Sequence, residues 1–341
     1  MEAERCTRVV IAGGSGAVGR SLSRILVAGG YAVTVLTRSA GRHPPVDGVR
    51  AVPWRGRPGG GGEDREWLRE IDGALAVVNL AGRSVDCIKS PGNCDEILRS
   101  RVESTLAIGA AVGRVAAAPR AWVQMGTAHI YGDPPSAVCD ESSPTGYGLA
   151  PAVGRAWEEA FWSVLPRSVR GVVLRTSFVL MREGGALAKL GLLARLGLGG
   201  RVGSGVQGIS WIHERDMNRL FVRGIEHPGM QGVYVASAPG PVSNEVFMRS
   251  LRRAVGMHMG IPSPAWCVKI GARLILRTDP ELALCGRYVM PTRLLKEGYA
   301  FSFEDVGCAL DDIYGRRVGT TAGGDKNSAG IGSSDPGAGA S

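Results

Sequence analysis

Residues 8–20 read RVVIAGGSGAVGR. The apolar run Val9-Val10-Ile11-Ala12 stops at Gly13-Gly14-Ser15-Gly16 and resumes at Ala17-Val18-Gly19. Glycines at 13, 16 and 19 have two readings: a tight strand-to-helix turn and nothing more, or a turn shaped for a ligand. The surroundings favour the ligand. A strand-like run precedes the glycines, a helical pattern through Arg20–Leu26 follows, and a second apolar run, Ala32–Leu36, ends about twenty residues on, which completes a βαβ unit. In such a unit Gly13 allows the sharp turn, Gly16 lets the backbone approach a pyrophosphate, and Gly19 lets the helix pack on the strand. The amides opening the helix, at Ala17 and Val18, are free to meet negative charge.

The end of the second strand bears on the cofactor. NAD sites usually place an acidic side chain there for the ribose hydroxyls, whereas this chain has Leu36-Thr37-Arg38-Ser39. A guanidinium grips a 2′-phosphate and Thr37 can donate to it, so NADP(H) is the expected cofactor; the plainer alternative is an unliganded surface arginine.

Outward from this unit, strand-length runs at 8–12, 32–37, 49–53, 74–80, 121–126 and 171–176 alternate with helical patterns at 17–29, 64–71, 94–116 and 152–164. This alternation predicts an α/β, doubly wound, Rossmann-like parallel sheet covered on both faces. The expected domains are a dinucleotide-binding domain over 1–180 whose sheet also receives later strands, and a smaller substrate lobe over 181–318 with a helical C-terminal part. A Gly/Ala/Ser-rich tail over 319–341 is expected to be disordered. Leu196–Gly205, rich in glycine, reads as a mobile rim over a substrate cleft.

Composition excludes several classes. The chain has 341 residues and a formal charge of +9, almost all from arginine, spread along the sequence with no recognition motif. That suits anionic ligands better than dedicated nucleic-acid binding. No apolar run approaches a membrane span, and the N-terminus lacks a signal pattern. Seven cysteines without a C-x-x-C pair point to reduced thiols, and five scattered histidines to no metal site. A cytoplasmic protein is expected, or an organelle stroma or matrix protein if a presequence has been removed. It is expected to act as monomer or homodimer on an unknown small molecule, with neither a membrane nor specific nucleic acid as partner.

Further motifs carry a family resemblance. Asn79-Leu80-Ala81-Gly82, Thr127-Ala128-His129-Ile130-Tyr131-Gly132-Asp133 and Trp211-Ile212-His213-x-x-Asp216 resemble segments of the extended short-chain dehydrogenases/reductases. Ser100-Arg101-x-x-Ser104-Thr105, Trp157-Glu158 and Val289-Met290-Pro291-x-Arg293-Leu294-Leu295-x-x-Gly298-Tyr299-x-Phe301 are similar to one subgroup. These are the atypical, NADP-dependent "epimerase family" oxidoreductases with a C-terminal domain of unknown function. The resemblance covers roughly residues 8 to 313. It implies Thr37 and Arg38 at the 2′-phosphate, and Leu80, Ala81 and Gly82 along the ribose and nicotinamide. It also implies Glu96 and Arg101 facing the cofactor and Val179 near the nicotinamide.

The wider superfamily transfers hydride with a Ser or Thr, a Tyr and a Lys. Thr127 fits the hydroxyl position that orients a carbonyl, and Tyr131 is the nearest candidate acid, with simple ring packing as its alternative. The Tyr-x-x-x-Lys pair itself is missing, and Arg155 cannot stand in for a lysine as proton relay. Where relatives carry an Arg-Trp pair, this chain has Ile88-Lys89-Ser90-Pro91-Gly92. The His213–Asp216 pair reads as structural rather than catalytic. The expected function is an NADP(H)-dependent oxidoreductase acting on a carbonyl or nucleotide-sugar-like substrate; the alternative is an NADP(H)-binding sensor or scaffold without turnover.

Overall fold

The computed structural model describes residues 7–38, 46–57, 64–134, 137–274 and 277–315. The chain begins with β1 (Arg8–Ala12), α1 (Ala17–Ala28), β2 (Ala32–Thr37), β3 (Val49–Pro53), α2 (Asp64–Ile71) and β4 (Ala76–Asn79). It continues through α3 (Pro91–Val112), β5 (Ala121–Thr127), a 3-10 turn (Ala128–Tyr131), β6 (Val138–Cys139), α4 (Leu149–Val164), β7 (Arg170–Thr176) and β8 (Phe178–Leu180). Then come α5 (Gly185–Arg195), β9 (Gly208–Ile209), β10 (Trp211–His213), α6 (Glu214–Glu226) and β11 (Gly232–Ala236). The chain closes with β12 (Val242–Ser243), α7 (Asn244–Ala254), α8 (Ala265–Leu274), α9 (Glu281–Leu284), β13 (Tyr288–Val289), α10 (Thr292–Lys296) and α11 (Val306–Tyr314).

Seven strands form the central sheet in the order β3-β2-β1-β4-β5-β7-β11, every neighbour parallel. The order reverses between β1 and β4, and in doubly wound sheets ligands bind at the carboxyl edge of that switch point. Alternation within each strand explains the layering. Val9, Ile11, Val35, Val78, Val123 and Leu174 pack with residues of α1 and α6 on one face. Val10, Leu36, Val77, Trp122 and Val173 pack with residues of α2, α3 and α4 on the other. A third cluster, with Trp211, Phe247, Leu251, Leu310 and Ile313, forms the core of the smaller C-terminal part.

Several boundaries differ from the sequence expectation for identifiable reasons. The helix expected from 94 starts at Pro91, because Ser90 caps it by accepting from the Asn93 amide and proline suits a first turn. The helix expected from 152 starts at Leu149, with Pro151 tolerated inside its first turn. β11 was not among the expected strands. The rim at 196–205 is anchored: Ile261 N donates to Gly197 O at 2.9 Å, Gly203 N to Ser263 O at 2.9 Å, and Ser263 N to Arg201 O at 2.9 Å. It is therefore a bonded edge of the C-terminal part and not the free flap its glycines suggest. The tail at 319–341 lies outside the described residues.

Candidate functional site

The glycine loop sits at the switch point, and its glycines have separable causes. Gly13 has φ +77°, and a Cβ there would lie 2.8 Å from the Ala81 backbone. A Cβ on Gly14 would meet the Val35 side chain at 2.6 Å, and one on Gly19 the Gly14 backbone at 2.5 Å. Those three are demanded by packing of loop on sheet and helix on loop. Gly16 is different. Its backbone is extended, it is exposed, and the nearest atom to an added Cβ is Gly13 O at 3.6 Å. No described residue requires glycine at 16, and the space its missing side chain leaves lies at the exposed start of α1. Ala17 and Val18 are part-exposed there, and no side chain caps the helix.

The neighbouring strand ends complete the cleft. Gly13 N donates to Leu36 O at 2.9 Å, and the Thr37 hydroxyl donates to Ser15 Oγ at 3.1 Å. Arg38 follows directly, exposed at the carboxyl end of β2. On the other side, Asn79 is fully buried: its amide donates to Thr105 Oγ1 (3.1 Å) and Gln124 Oε1 (3.0 Å) while its Oδ1 accepts from Ala81 N (3.0 Å). This fixes the course of Leu80-Ala81-Gly82 past the glycine loop. Leu80 is half-buried, Ala81 buried and Gly82 exposed. Val179 is half-buried in β8, paired with Ile212 of β10.

Arg101 lies over the Trp157 ring, 5.0 Å from its centroid, and donates to the carbonyls of Arg83 and Ile97, both at 3.0 Å. Burial pushes its pKa down to about 10. Its side chain would stand 3.2 Å from a Cβ on Gly82. Arg101 thus clamps the loop after β4 into place. Glu96 is exposed and ion-paired with Arg83 of the same loop.

Thr127 ends β5, and its Oγ1 accepts from His129 N at 3.1 Å, which opens the 3-10 turn. The hydroxyl proton remains available to a ligand at the strand end. Tyr131 is 3% exposed. Its hydroxyl accepts from Arg175 Nη1 at 3.0 Å, and Arg175 is held in turn by Glu158 through two bonds of 2.8 Å. Burial pushes the phenol up to about 12, despite Arg175. The phenol expected as the acid is buried here and bonded to Arg175, and this anchors the 128–131 turn. Arg155 donates to Gly146 O (2.8 Å) and Thr145 Oγ1 (3.2 Å), so it fixes a loop.

His213 and Asp216 are structural. His213 Nδ1 accepts from Arg215 N at 3.1 Å and caps α6; the other nitrogen, Nε2, lies 3.4 Å from the Asp312 carboxylate. Burial pushes His213 down to about 4. Asp216, fully buried, accepts from Ser302 N (2.8 and 3.0 Å) and Phe303 N (3.1 Å). Together they bind the C-terminal segment to the Rossmann-like body. Among the described residues no His, Cys, Asp and Glu cluster could hold a metal, and no helix is long and apolar enough to cross a membrane.

Comparison with known proteins completes the picture. The model of the NAD dependent epimerase/dehydratase family matches residues 9–236, two thirds of the chain. The chain belongs to that family. A domain of unknown function (DUF1731) matches residues 263–313. The bovine epimerase family protein SDR39U1 is 33% identical over 90% of this chain and 99% of its own length. The chloroplastic SDR39U1 homolog of Arabidopsis thaliana is 31% identical over 89% of this chain and 86% of its own. A crystal structure of the human epimerase family protein SDR39U1 with NADPH superposes with a TM-score of 0.77 at 30% identity, covering 90% of this chain and 99% of that one. The fold and the membership therefore agree with the resemblance carried by the glycine loop and the C-terminal Val289–Phe301 signature.

Signals for Asn79, Gly82 and Trp157-Glu158 were present in the sequence as motif positions. Arg175 was visible only as a charge inside a strand, and its pairing with Glu158 and Tyr131 had no local signature.

Proposed function

We propose that the protein binds NADP(H) at the carboxyl edge of the sheet and transfers hydride between it and a carbonyl compound. The observation that carries the cofactor part is Gly16, the one glycine of the loop whose side-chain space is empty of protein and opens over the uncapped start of α1. The amides of Ala17 and Val18 suit a diphosphate there. Arg38 and Thr37 suit a 2′-phosphate, and Leu80, Ala81, Gly82 and Val179 line the path toward the strand ends. The NADPH held by the human relative supports the same choice.

When bound, the dinucleotide supplies the hydride. The residues of this chain supply position: Thr127 turns its free hydroxyl proton toward a carbonyl oxygen, and Arg101 and Asn79 hold the β4 loop rigid beside it. With Tyr131 buried and no lysine in its place, the proton that balances hydride transfer comes by way of the Thr127 hydroxyl from solvent. The test is turnover of NADPH, followed by its absorbance, with a panel of aldehydes, ketones and quinones. Substrate-dependent oxidation that falls in Thr127→Val supports the reading; a panel without turnover refutes the hydride-transfer part.

A second reading has its own observation. Arg155 is tied to Thr145 and Gly146 and Tyr131 to Arg175, so neither member of a Tyr–Lys pair is replaced. This favours an NADP(H)-binding module whose bound state is sensed by a partner. Tight NADPH binding with no turnover selects it.

A further inference from the structure

The protein covers little of α8. Of its ten residues only Ala272 is buried. The sequence AWCVKIGARL places Trp266, Ile270 and Leu274 four residues apart, so they form one stripe along the helix. All three are exposed, Trp266 to 66% and Leu274 to 75%. Lys269 and Arg273, spaced in the same way, make a second exposed stripe beside the first. The outward half of α8 is thus apolar on one flank and cationic on the other. The apolar surface also extends beyond the helix. Met259 and Ile261, just before α8, are exposed, and Ile261 N donates to Gly197 O, which sets this segment beside the exposed Leu196 and Leu198. Val202 and Ser263 then bridge in parallel and lead the chain into α8. Large apolar side chains gathered on a surface in this way mark an interaction site.

Charge narrows what that surface meets. Residues 246–278 contain five arginines and one lysine and not one Asp or Glu, and residues 184–213 contain Lys189, Arg195 and Arg201 and again no carboxylate. Lys189 is paired with Asp86 and Arg249 with Glu245. Others keep their charge: Arg201 and Arg252 donate to the carbonyls of Ser204 and Gly199, and Arg195 lies over the Tyr314 ring. Among the described residues Lys269 and Arg273 have no ion-pair partner. A second copy of the chain fits this face poorly, because a two-fold contact would set the Lys269 and Arg273 rows together with no carboxylate between them. The chain itself offers little cover, since residues 316–341 have only Val318 and Ile331 as large apolar side chains. An anionic bilayer meets both demands: its headgroups take the lysine and arginines, and its acyl boundary takes tryptophan, isoleucine and leucine.

We propose that α8 and the exposed 259–261 segment dock the protein on an anionic lipid bilayer, with the Trp266–Ile270–Leu274 stripe entering the headgroup boundary and Lys269 and Arg273 held by acidic headgroups. The expectation of no membrane partner rested on the lack of a span, and a helix lying in the surface needs none. A helix this short anchors reversibly, so docking takes both signals, the apolar stripe and the cations. The inference is independent of the hydride-transfer reading.

The experiment is co-sedimentation of the full chain with vesicles of phosphatidylcholine, with and without phosphatidylserine. Saturable binding to the phosphatidylserine vesicles is expected, weak on phosphatidylcholine alone and loosened by salt. Lys269→Gln combined with Arg273→Gln should weaken it about tenfold or more, since each cation at such a surface contributes about fivefold. Ile270→Glu should weaken it at least as much, by placing a charge in the stripe. Brominated acyl chains should quench part of the tryptophan fluorescence, and Trp266→Phe should lose that part. These side chains are exposed, so each variant should keep the native circular dichroism; the Lys269/Arg273 variant and the quenching read the surface even where Ile270→Glu is unstable. No binding to phosphatidylserine vesicles overturns the proposal. Binding unchanged in Ile270→Glu, or quenching that survives Trp266→Phe, also overturns it, because the protein would then adsorb through charge alone or through another face. A native dimer in sedimentation equilibrium that Ile270→Glu separates would give the stripe to a second copy and overturn it as well.

Discussion

Replacing Gly16 and Gly19 one at a time by alanine separates ligand demand from packing demand. At Gly16 the backbone is φ −69°, ψ 169°, open to any residue, and the added methyl meets nothing closer than 3.6 Å. Two small effects oppose each other. Alanine reduces unfolded-chain entropy, worth about 0.4–1 kcal/mol, and is a poorer N-cap than glycine by about the same amount. Gly16→Ala should therefore keep its unfolding free energy within about 1 kcal/mol of the native protein. At Gly19 the methyl would lie 2.5 Å from the Gly14 α-carbon and carbonyl oxygen, backbone that cannot swing aside. Overpacking of this kind costs about 1–3 kcal/mol.

For NADPH the order reverses in cause. The Gly16 methyl occupies the path by which a diphosphate reaches the amides of α1, so affinity should fall at least about tenfold, or roughly 1.4 kcal/mol. Urea denaturation without nucleotide and NADPH fluorescence titration on the same preparations measure both quantities. A Gly16→Ala protein that binds NADPH like the native one would refute the reasoning, because the glycine would then serve only the turn.

The remaining predictions concern the cofactor's end group, the buried ion pair and pH. Arg38→Asp should weaken NADPH binding far more than NADH binding, since it removes the partner of a 2′-phosphate and adds repulsion; equal losses in parallel titrations count against NADP preference. Glu158→Gln leaves the Arg175 charge buried and uncompensated and should cost about 3–5 kcal/mol in urea denaturation, part of it recovered when Arg175→Met is added. His213 has a folded pKa of about 4 against 6.5 in an open chain, so the unfolded state binds more protons between those values. Its contribution is fully present above pH 6.5 and lost as pH falls toward 4. His213→Asn keeps a capping oxygen and removes the titration, so its stability should fall less steeply over that window than the native protein's.

Much of the fold was legible because it is local. Buried strands such as Val9–Ala12 and Val33–Leu36 read as continuous apolar runs, and the punctuation by Gly13–Gly19 marks the turn where the sheet meets its ligand edge. β11 was not legible: GVYVA at 232–236 is short and follows Pro228-Gly229, and only pairing with β7 makes it a strand. The edge proposed for the cofactor was legible for the same reason as the fold, since its residues follow strands β1, β2 and β4, which are neighbours in the sheet. The setting of Tyr131 was not, because its partner Arg175 comes from 44 residues away. A tyrosine in a suggestive motif carries no sign of an arginine that will seal it. A glycine-rich rim likewise carries no sign of the 261–263 segment that holds it.

The most direct trial is equilibrium titration of the folded, nucleotide-free chain with NADPH and with NADH. Saturable binding of one equivalent of NADPH, tighter than NADH, is the expected result. If neither dinucleotide is taken up by protein whose circular dichroism shows the α/β fold, the opening of α1 is a turn without a ligand and the account fails.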